Sequence, residues 1–303
     1  MSKISVIIPT YGDPRYLDKA IKSVVNQTFK EWELIVIDDN NPETLEREKT
    51  ENILKKYLFN NKVTYIKHEK NKNGSAARNT GIKIAKGKYI SFLDSDDEYA
   101  LNRLEKCYNL LENKGDLLYS GVYTGCEFRR SGKTYNKFMN IKDGNFLIET
   151  LACTFMFCTG SNIFIKADTI RQLGGFDESF LRHQDYEFLV RYFEKYKLLA
   201  IPEILVIKNN DNVNAVNTQK IIEIKKRYME KYKTIFEKLR EEEQKYIYFS
   251  QYIQIAENAL YEGDVNIANN YYNIARKYKK MSFKQIIRKY LLYCRFFKNK
   301  IFN

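Results

Sequence analysis

Two carboxylates one residue apart, Asp94 and Asp96, followed at once by Asp97, carry the clearest chemical potential in this chain. They close a short apolar run, Tyr89-Ile90-Ser91-Phe92-Leu93. Ionised carboxylates are rarely buried unless paired or metal-bound, so the acidic end of such a run belongs at an exposed crevice. Hard oxygen ligands clustered in this way suit Mg²⁺ or Mn²⁺, the ions that accompany phosphorylated substrates. Taken alone, the same residues also read as an acidic turn capping a helix. A second candidate, Asp185, opens a helical pattern after His183-Gln184. It reads either as a first-turn carboxylate favoured by the helix dipole or as a general base.

The elements that must position these residues follow a regular alternation. Ile4 to Ile8 is an apolar strand closed by Pro9-Thr10-Tyr11-Gly12, and Asp13-Pro14 signals a helix start with Leu17, Ala20, Ile21, Val24 and Val25 at helical spacing. A second strand, Glu33 to Ile37, ends in Asp38 and Asp39. A helix over about 42–57, a strand over 63–67 and a helix over 74–85 lead to the strand that ends at Asp94. This β-α-β-α-β-α-β order predicts an α/β fold with a doubly wound, mostly parallel, Rossmann-like sheet. Ligands in such sheets sit beyond the carboxyl ends of the strands, where three of these strands end in polar residues. No Gly-x-Gly-x-x-Gly follows the first strand, which excludes the dinucleotide fingerprint. Gly81 to Lys88 has the wrong spacing for a phosphate loop, with Tyr89 where Ser or Thr is needed.

Downstream, the sequence predicts a helix over 97–113, strands over 116–120 and 122–130 broken or bulged at Gly121, and a turn at 131–133. A variable loop over 137–145, an apolar helix over 146–157 and a strand over 163–165 follow. From Thr218 the pattern is helical. Its last segment sets Phe283, Ile286, Ile287, Tyr290, Leu291, Cys294 and Phe297 on one stripe and Lys284, Arg288, Lys289, Arg295 and Lys298 off it. Over 282–300 this reads either as a basic amphipathic helix for an anionic membrane surface or as a helix docked on the protein with its basic face solvated.

Net charge is +13, but ten Lys/Arg and no acidic residue follow from Val265 on, leaving +3 for the rest. No nucleic-acid motif accompanies the basic tail, so nucleic acid is not an expected partner. A chain 44% hydrophobic and 15% aromatic supports a packed core and excludes wholesale disorder. Five cysteines without Cys-x-x-Cys spacing predict reduced thiols in a cytosolic setting, with neither disulfide nor zinc site. No apolar run is long enough to span a membrane.

As an ordered set, Val6-Ile7-Ile8-Pro9-Thr10-Tyr11, Glu33 to Asp39, Ser75-Ala76-Ala77-Arg78-Asn79 and Phe92 to Asp97 resemble the inverting glycosyltransferases of family 2, of GT-A fold. The resemblance implies a nucleotide-sugar donor, most often a UDP-sugar, Mn²⁺ or Mg²⁺ at the Asp-x-Asp, and a saccharide or lipid-linked saccharide acceptor. By position, Pro9, Thr10 and Tyr11 would line uracil and ribose, and Asp39 would accept from the uracil N–H. Arg78 would lie near the diphosphate, as against an ordinary surface salt bridge. Asp94 and Ser95 would face the donor sugar and ribose, Asp96 would ligate the metal, and Asp185 would be the base. Two departures stand out. Asn71-Lys72-Asn73-Gly74 replaces Asn-x-Gly, so either Asn71 or Asn73 would be the nucleotide contact, and Gln184 stands where the family usually has Glu. The Thr159-Gly160 segment would face the acceptor.

The resemblance further implies a transferase domain over 1–215, with a nucleotide half (1–98) and an acceptor half (99–215), then a helical extension over 216–303. The reduced thiols point to a cytoplasmic protein, and the membrane reading of the tail, where it holds, adds a peripheral place on the inner face of the cytoplasmic membrane. His183 is expected to pack beside the site, and His68 receives no role. Two other readings stay open: a nucleotidyltransferase on the same carboxylates, and a non-catalytic adaptor working through the tail.

Overall fold

A computed structural model describes residues 2–158, 160–211 and 217–301, with side chains as far as 293. Its strands are β1 (Ile4–Thr10), β2 (Trp32–Asp38), β3 (Val63–Lys67), β4 (Tyr89–Phe92), β5 (Asp97–Tyr99), β6 (Tyr119–Arg130), β7 (Lys133–Phe138), β8 (Phe164–Lys166) and β9 (Lys197–Asn209). Its helices are α1 (Leu17–Val25), α2 (Leu45–Leu54), α3 (Gly74–Ile84), α4 (Arg103–Asn113), α5 (Leu147–Leu151), α6 (Ala167–Gln172), α7 (Gln184–Phe193), α8 (Thr218–Lys231), α9 (Lys233–Phe236), α10 (Glu241–Glu262), α11 (Val265–Arg276) and α12 (Phe283–Ile301). The chain divides into two compact units, Met1–Asn145 with Met156–Val213, and Phe146–Phe155 with Asn214–Asn303.

In the first unit one sheet runs β3-β2-β1-β4-β8-β6-β9-β5, with β7 paired to β6. The β3-β2-β1-β4 half is parallel. Its central strands are buried on both faces, which is why Ile4, Val6, Ile7 and Ile8 form a continuous rather than alternating run. From β1 the chain winds outward to β2 and β3, then returns to β4 on the other side. That reversal opens a crevice beyond the carboxyl ends of β1 and β4, where such sheets bind ligands.

Several expectations need correction. Helix α1 begins at Leu17, because Asp13 turns onto the Arg15 backbone N–H (3.0 Å) and guanidinium (2.7 Å) instead of capping it. The residues after the acidic motif are not yet helical. Asp97–Tyr99 pairs antiparallel with β9, and α4 starts only at Arg103. Strand β6 is continuous through Gly121 with a shift in register there, and a Cβ at that glycine would come within 2.7 Å of Ile165 and 2.8 Å of Leu198. β7 occupies the start of the expected loop. The expected helix over 146–157 shrinks to the five residues of α5. β9 was not anticipated: Pro202 interrupts its apolar run, and the register with β6 jumps there from Ile201 to Ile204. Cys126 on β6 is disulfide-bonded to Cys158, with Cα atoms 6.6 Å apart, against the expectation of reduced thiols. Their separation of 32 residues gave the sequence no short spacing to announce the pair. Cys107 and Cys153 are not disulfide-bonded.

The second unit is helical. Phe249, Ile253, Ala256, Ala259 and Leu260 of α10 pack on Ala268, Tyr272 and Ala275 of α11 and on Leu292 of α12. Gly263, at φ 87°, ends α10, and Asp264 caps α11 through Ile267 N–H (2.9 Å). Residues Phe146–Phe155 belong to this unit: Tyr228, Gln251 and Gln254 donate to the carbonyls of Thr150, Leu151 and Ala152 at 2.6–2.9 Å. Among the described residues no helix is long and apolar enough to cross a membrane.

Candidate active site

Asp94, Ser95 and Asp96 form the turn from β4 into β5, and Asp97 begins β5 opposite Lys208 of β9. Oxygen atoms of Asp94, Asp96 and Asp97 lie within 4.8 Å of one another. Ser161 ties two of these residues together: its Oγ accepts from Asp94 N–H at 2.9 Å and donates to Asp97 Oδ2 at 2.6 Å. Asn209 N–H reaches Asp97 Oδ1 at 3.3 Å, and Lys208 Nζ stands 3.6 Å from Oδ2.

The electrostatics of the cluster are uneven. Burial pushes the Asp97 carboxyl up to about 7 against the pull of Lys208, with Asp94 and Asp96 adding to the rise. Asp96 is raised for the same first reason. Burial acts on Asp94 too, but Arg78 and then Lys208 outweigh it and hold it below the usual carboxylate range. Lys208 loses by burial and gains more from the four surrounding carboxylates, Asp97, Asp94, Asp96 and Asp185, so it stays firmly charged.

Arg78, buried on α3, spans the site. Its Nη2 pairs with Asp94 Oδ1 at 2.6 Å, its Nη1 donates to Gln184 Oε1 at 3.0 Å, and its guanidinium lies 5.5 Å from the centre of the Phe176 ring. Gln184 opens α7 after His183, which sits at φ 60° with its ring 5.8 Å from that of Tyr186. Asp185 follows in the first turn. Its Oδ1 is buried with no hydrogen-bond partner. Burial raises the Asp185 pKa, with Arg78 the largest opposing influence and Asp94 adding to the rise. Gly160 is what brings this carboxylate in. A Cβ there would come within 2.9 Å of Asp185 Oδ1 and 3.4 Å of Arg78 Nη2. Thr159 lies outside the described residues.

The scaffold behind α7 is itself locked. Glu187, fully buried, holds Arg191 through two contacts (2.8 and 2.6 Å), and Arg191 donates to the carbonyls of Leu173 and Gly175. Gly175 has φ 70°, and a side chain there would meet Asn79 Oδ1 at 2.5 Å. Asn79 in turn clasps Phe176 through both its backbone groups (2.8 and 2.9 Å), so α3 and the entry to α7 are fixed together.

On the β1–β2 side, Pro9 and Thr10 end β1, Thr10 Oγ1 is buried without a partner, and Tyr11 is exposed. Asp39 spends its carboxylate inside the protein. Oδ1 meets His68 Nδ1 (2.6 Å) and Lys72 N–H (2.8 Å); Oδ2 meets Asn71 Nδ2 and Asn73 N–H (both 2.9 Å). A carboxylate has about four acceptor positions, and all are taken. The two asparagines separate cleanly. The Asn73 side chain caps α3 through Ser75 and Ala76 N–H, at φ 86°, and only its backbone N–H reaches Asp39, while the Asn71 side chain is the one tied to Asp39.

Sequence reasoning missed Lys208, Asn209, Ser161 and the role of His68, whose other nitrogen meets Thr80 Oγ1 at 2.9 Å. Lys208 and Asn209 carried the same signal that exposed Asp94: the apolar run Ile204-Leu205-Val206-Ile207 breaks into polar residues. Ser161 and His68 carried none. The donor set of Asp94, Asp96 and Asp97 consists of hard carboxylate oxygens and fits Mg²⁺ or Mn²⁺.

Residues 5–174 match the family model described as glycosyl transferase family 2. An uncharacterised glycosyltransferase of Methanocaldococcus jannaschii is 35% identical over 231 residues, covering 72% of this chain and 76% of its own. S. aureus TarS 1–349 in complex with UDP-GlcNAc superposes with a TM-score of 0.60 at 15% identity, over 92% of this chain and 93% of that fragment. A Pyrobaculum calidifontis mannosyltransferase in complex with GDP-Man and Mn²⁺ gives 0.57 at 13% identity, over 95% and 79%. The sheet is therefore of the GT-A kind, α/β with a helical C-terminal region. By its family match and its M. jannaschii relative, the chain belongs to glycosyltransferase family 2.

Proposed function

We propose that this glycosyltransferase moves a sugar from a nucleotide-sugar, a UDP-sugar by preference, onto a hydroxyl of a glycan or lipid-linked saccharide, with inversion at the anomeric carbon. The observation that carries this reading is Asp185: a half-buried carboxylate with an unpartnered oxygen, set against Gly160 and beside the Arg78–Asp94 pair.

Asp185 takes the proton from the attacking acceptor hydroxyl, and its raised pKa suits a carboxylate that must hold that proton. Direct displacement needs only this one base, so no protein nucleophile is called for. Arg78 orients Asp94 and presents a planar cation to the diphosphate. Lys208 supplies a second fixed cation among the carboxylates, where charge grows as the nucleotide departs. A divalent cation held by Asp94, Asp96 and Asp97 would add charge neutralisation on that leaving group. Pro9, Thr10 and Tyr11 line the base and ribose, with Ser95 on the sugar side. Asp39 acts by shaping the turn over 71–73; a direct contact with uracil requires it to give up one internal donor.

The similar TarS structure contains UDP-GlcNAc and the mannosyltransferase GDP-Man with Mn²⁺, which supports this donor class and metal. A peripheral position on an anionic membrane, through residues 282–300, fits a lipid-linked acceptor; residues 294–300 have no described side chains. The test is a panel of nucleotide sugars with Mn²⁺ or Mg²⁺ and saccharide acceptors, reading nucleoside diphosphate release. Release of pyrophosphate instead would select nucleotidyl transfer. No binding of any donor would overturn the reading.

A further inference from the structure

The second unit contains a cleft of ≈ 520 Å³ between α10 and the segment that leads from α11 into α12. Lys279, Lys280, Lys284 and Arg288 line it, against a single carboxylate, Glu257. Glu257 is half-buried and held by Arg288 Nε at 2.9 Å, so the three lysines remain uncompensated within the cleft. Tyr246 forms part of the wall, with Lys279 Nζ 5.7 Å from its ring centre. This combination takes an anion such as a phosphate ester.

The face of α12 beside the cleft identifies the source of that anion. Leu292 is buried and Lys289 Nζ lies 4.4 Å from the Tyr272 ring centre, so this side packs on the unit. Phe283, Ile287, Tyr290 and Leu291 lie on another side and are 77%, 43%, 65% and 65% exposed. At 100° per residue, Ile287 and Leu291 adjoin Lys284 and Arg288, so the apolar face borders the cleft. An apolar helix face beside a cationic recess, in a segment without an acidic residue from Val265 on, matches an anionic bilayer surface. A second copy would set like charge against like.

We propose that this cleft binds the phosphate headgroup of an anionic membrane lipid while the exposed residues of α12 enter the interface. The proposal deepens the membrane reading above. Vesicle binding is read without donor or acceptor, so its failure leaves the transferase reading standing. The test is cosedimentation of the full chain with phosphatidylcholine vesicles, with and without phosphatidylglycerol. Wild type should pellet only with phosphatidylglycerol. Lys279→Gln/Lys280→Gln/Lys284→Gln should lower partitioning about 100-fold, at about fivefold per charge. Lys220→Gln/Lys226→Gln/Lys238→Gln, elsewhere on the same unit, should lower it less than tenfold. If the triple cleft variant melts early, Lys280→Gln and Lys284→Gln singly should each lose about fivefold. Equal losses in the two triple variants, equal binding to both vesicle types, or no binding would overturn the proposal. So would complete displacement by glycerol 3-phosphate at matched headgroup concentration, which would assign the cleft to a soluble phosphate ester.

Discussion

Lys208 Nζ lies 3.6 Å from the buried carboxylate of Asp97, at the centre of a cluster that includes Asp94, Asp96 and Asp185. Removing this cation while keeping the side-chain bulk, as in Lys208→Met, leaves the carboxylates to repel one another. Breaking a buried pair from one side costs about 3–5 kcal/mol, reduced here because Lys208 keeps some solvent contact. The melting temperature should fall, and Mn²⁺ should restore more of it than it adds to wild type, since the metal would replace the missing charge. Equal stabilisation of both proteins by Mn²⁺ would separate Lys208 from the metal site.

Asp185→Asn keeps shape and removes the proton acceptor. Donor affinity by calorimetry should stay within about threefold, while transfer to acceptor should fall by about 10²–10⁴-fold. Undiminished transfer in this variant would end the case for Asp185 as base.

Gly160→Ala places a methyl 2.9 Å from Asp185 Oδ1. Asp185 must shift by a few tenths of an ångström, and small misplacements of a reacting group are costly, up to about 10²-fold per ångström. Transfer should drop several-fold, up to about tenfold, with little change in melting temperature. A variant as active as wild type would show that Asp185 does not need its present position.

Asp39→Asn exchanges a four-way acceptor for a group with one oxygen and leaves Lys72 and Asn73 N–H competing for it. Amide hydrogen exchange over 71–73 should quicken by about tenfold or more, and donor affinity should weaken with it. Weakened donor affinity with unchanged exchange would instead favour a direct contact between Asp39 and the base.

The first half of the fold was legible because β1, β2 and β4 are buried on both faces and write themselves as largely apolar runs, with a polar stop where the crevice lies. β3 was placed to the residue, and the acidic end of β4 was found by this rule. The second half was harder because its register depends on contacts between distant residues. Asp97 pairs with Lys208 across 111 positions, a spacing no local pattern encodes. Pro202 hid β9 by breaking its run at a bulge. The Asn71/Asn73 ambiguity was likewise beyond sequence, since both are equally plausible turn residues until Asn73 is seen capping α3.

The short excursion of Phe146–Phe155 into the helical unit has a consequence for dissecting the chain. The segment leaves and returns between Cys126 and Cys158, so it is a stitch through the second unit rather than a linker to it. A protein cut after residue 217 would keep Thr150, Leu151 and Ala152 but lose Tyr228, Gln251 and Gln254, the donors that satisfy their carbonyls. The stacked rings of Phe146 and Phe155 would lose the helices they fold with. No single scission yields two self-sufficient pieces. Separating them requires replacing the stitch as well, with a short polar turn between Asn145 and Met156.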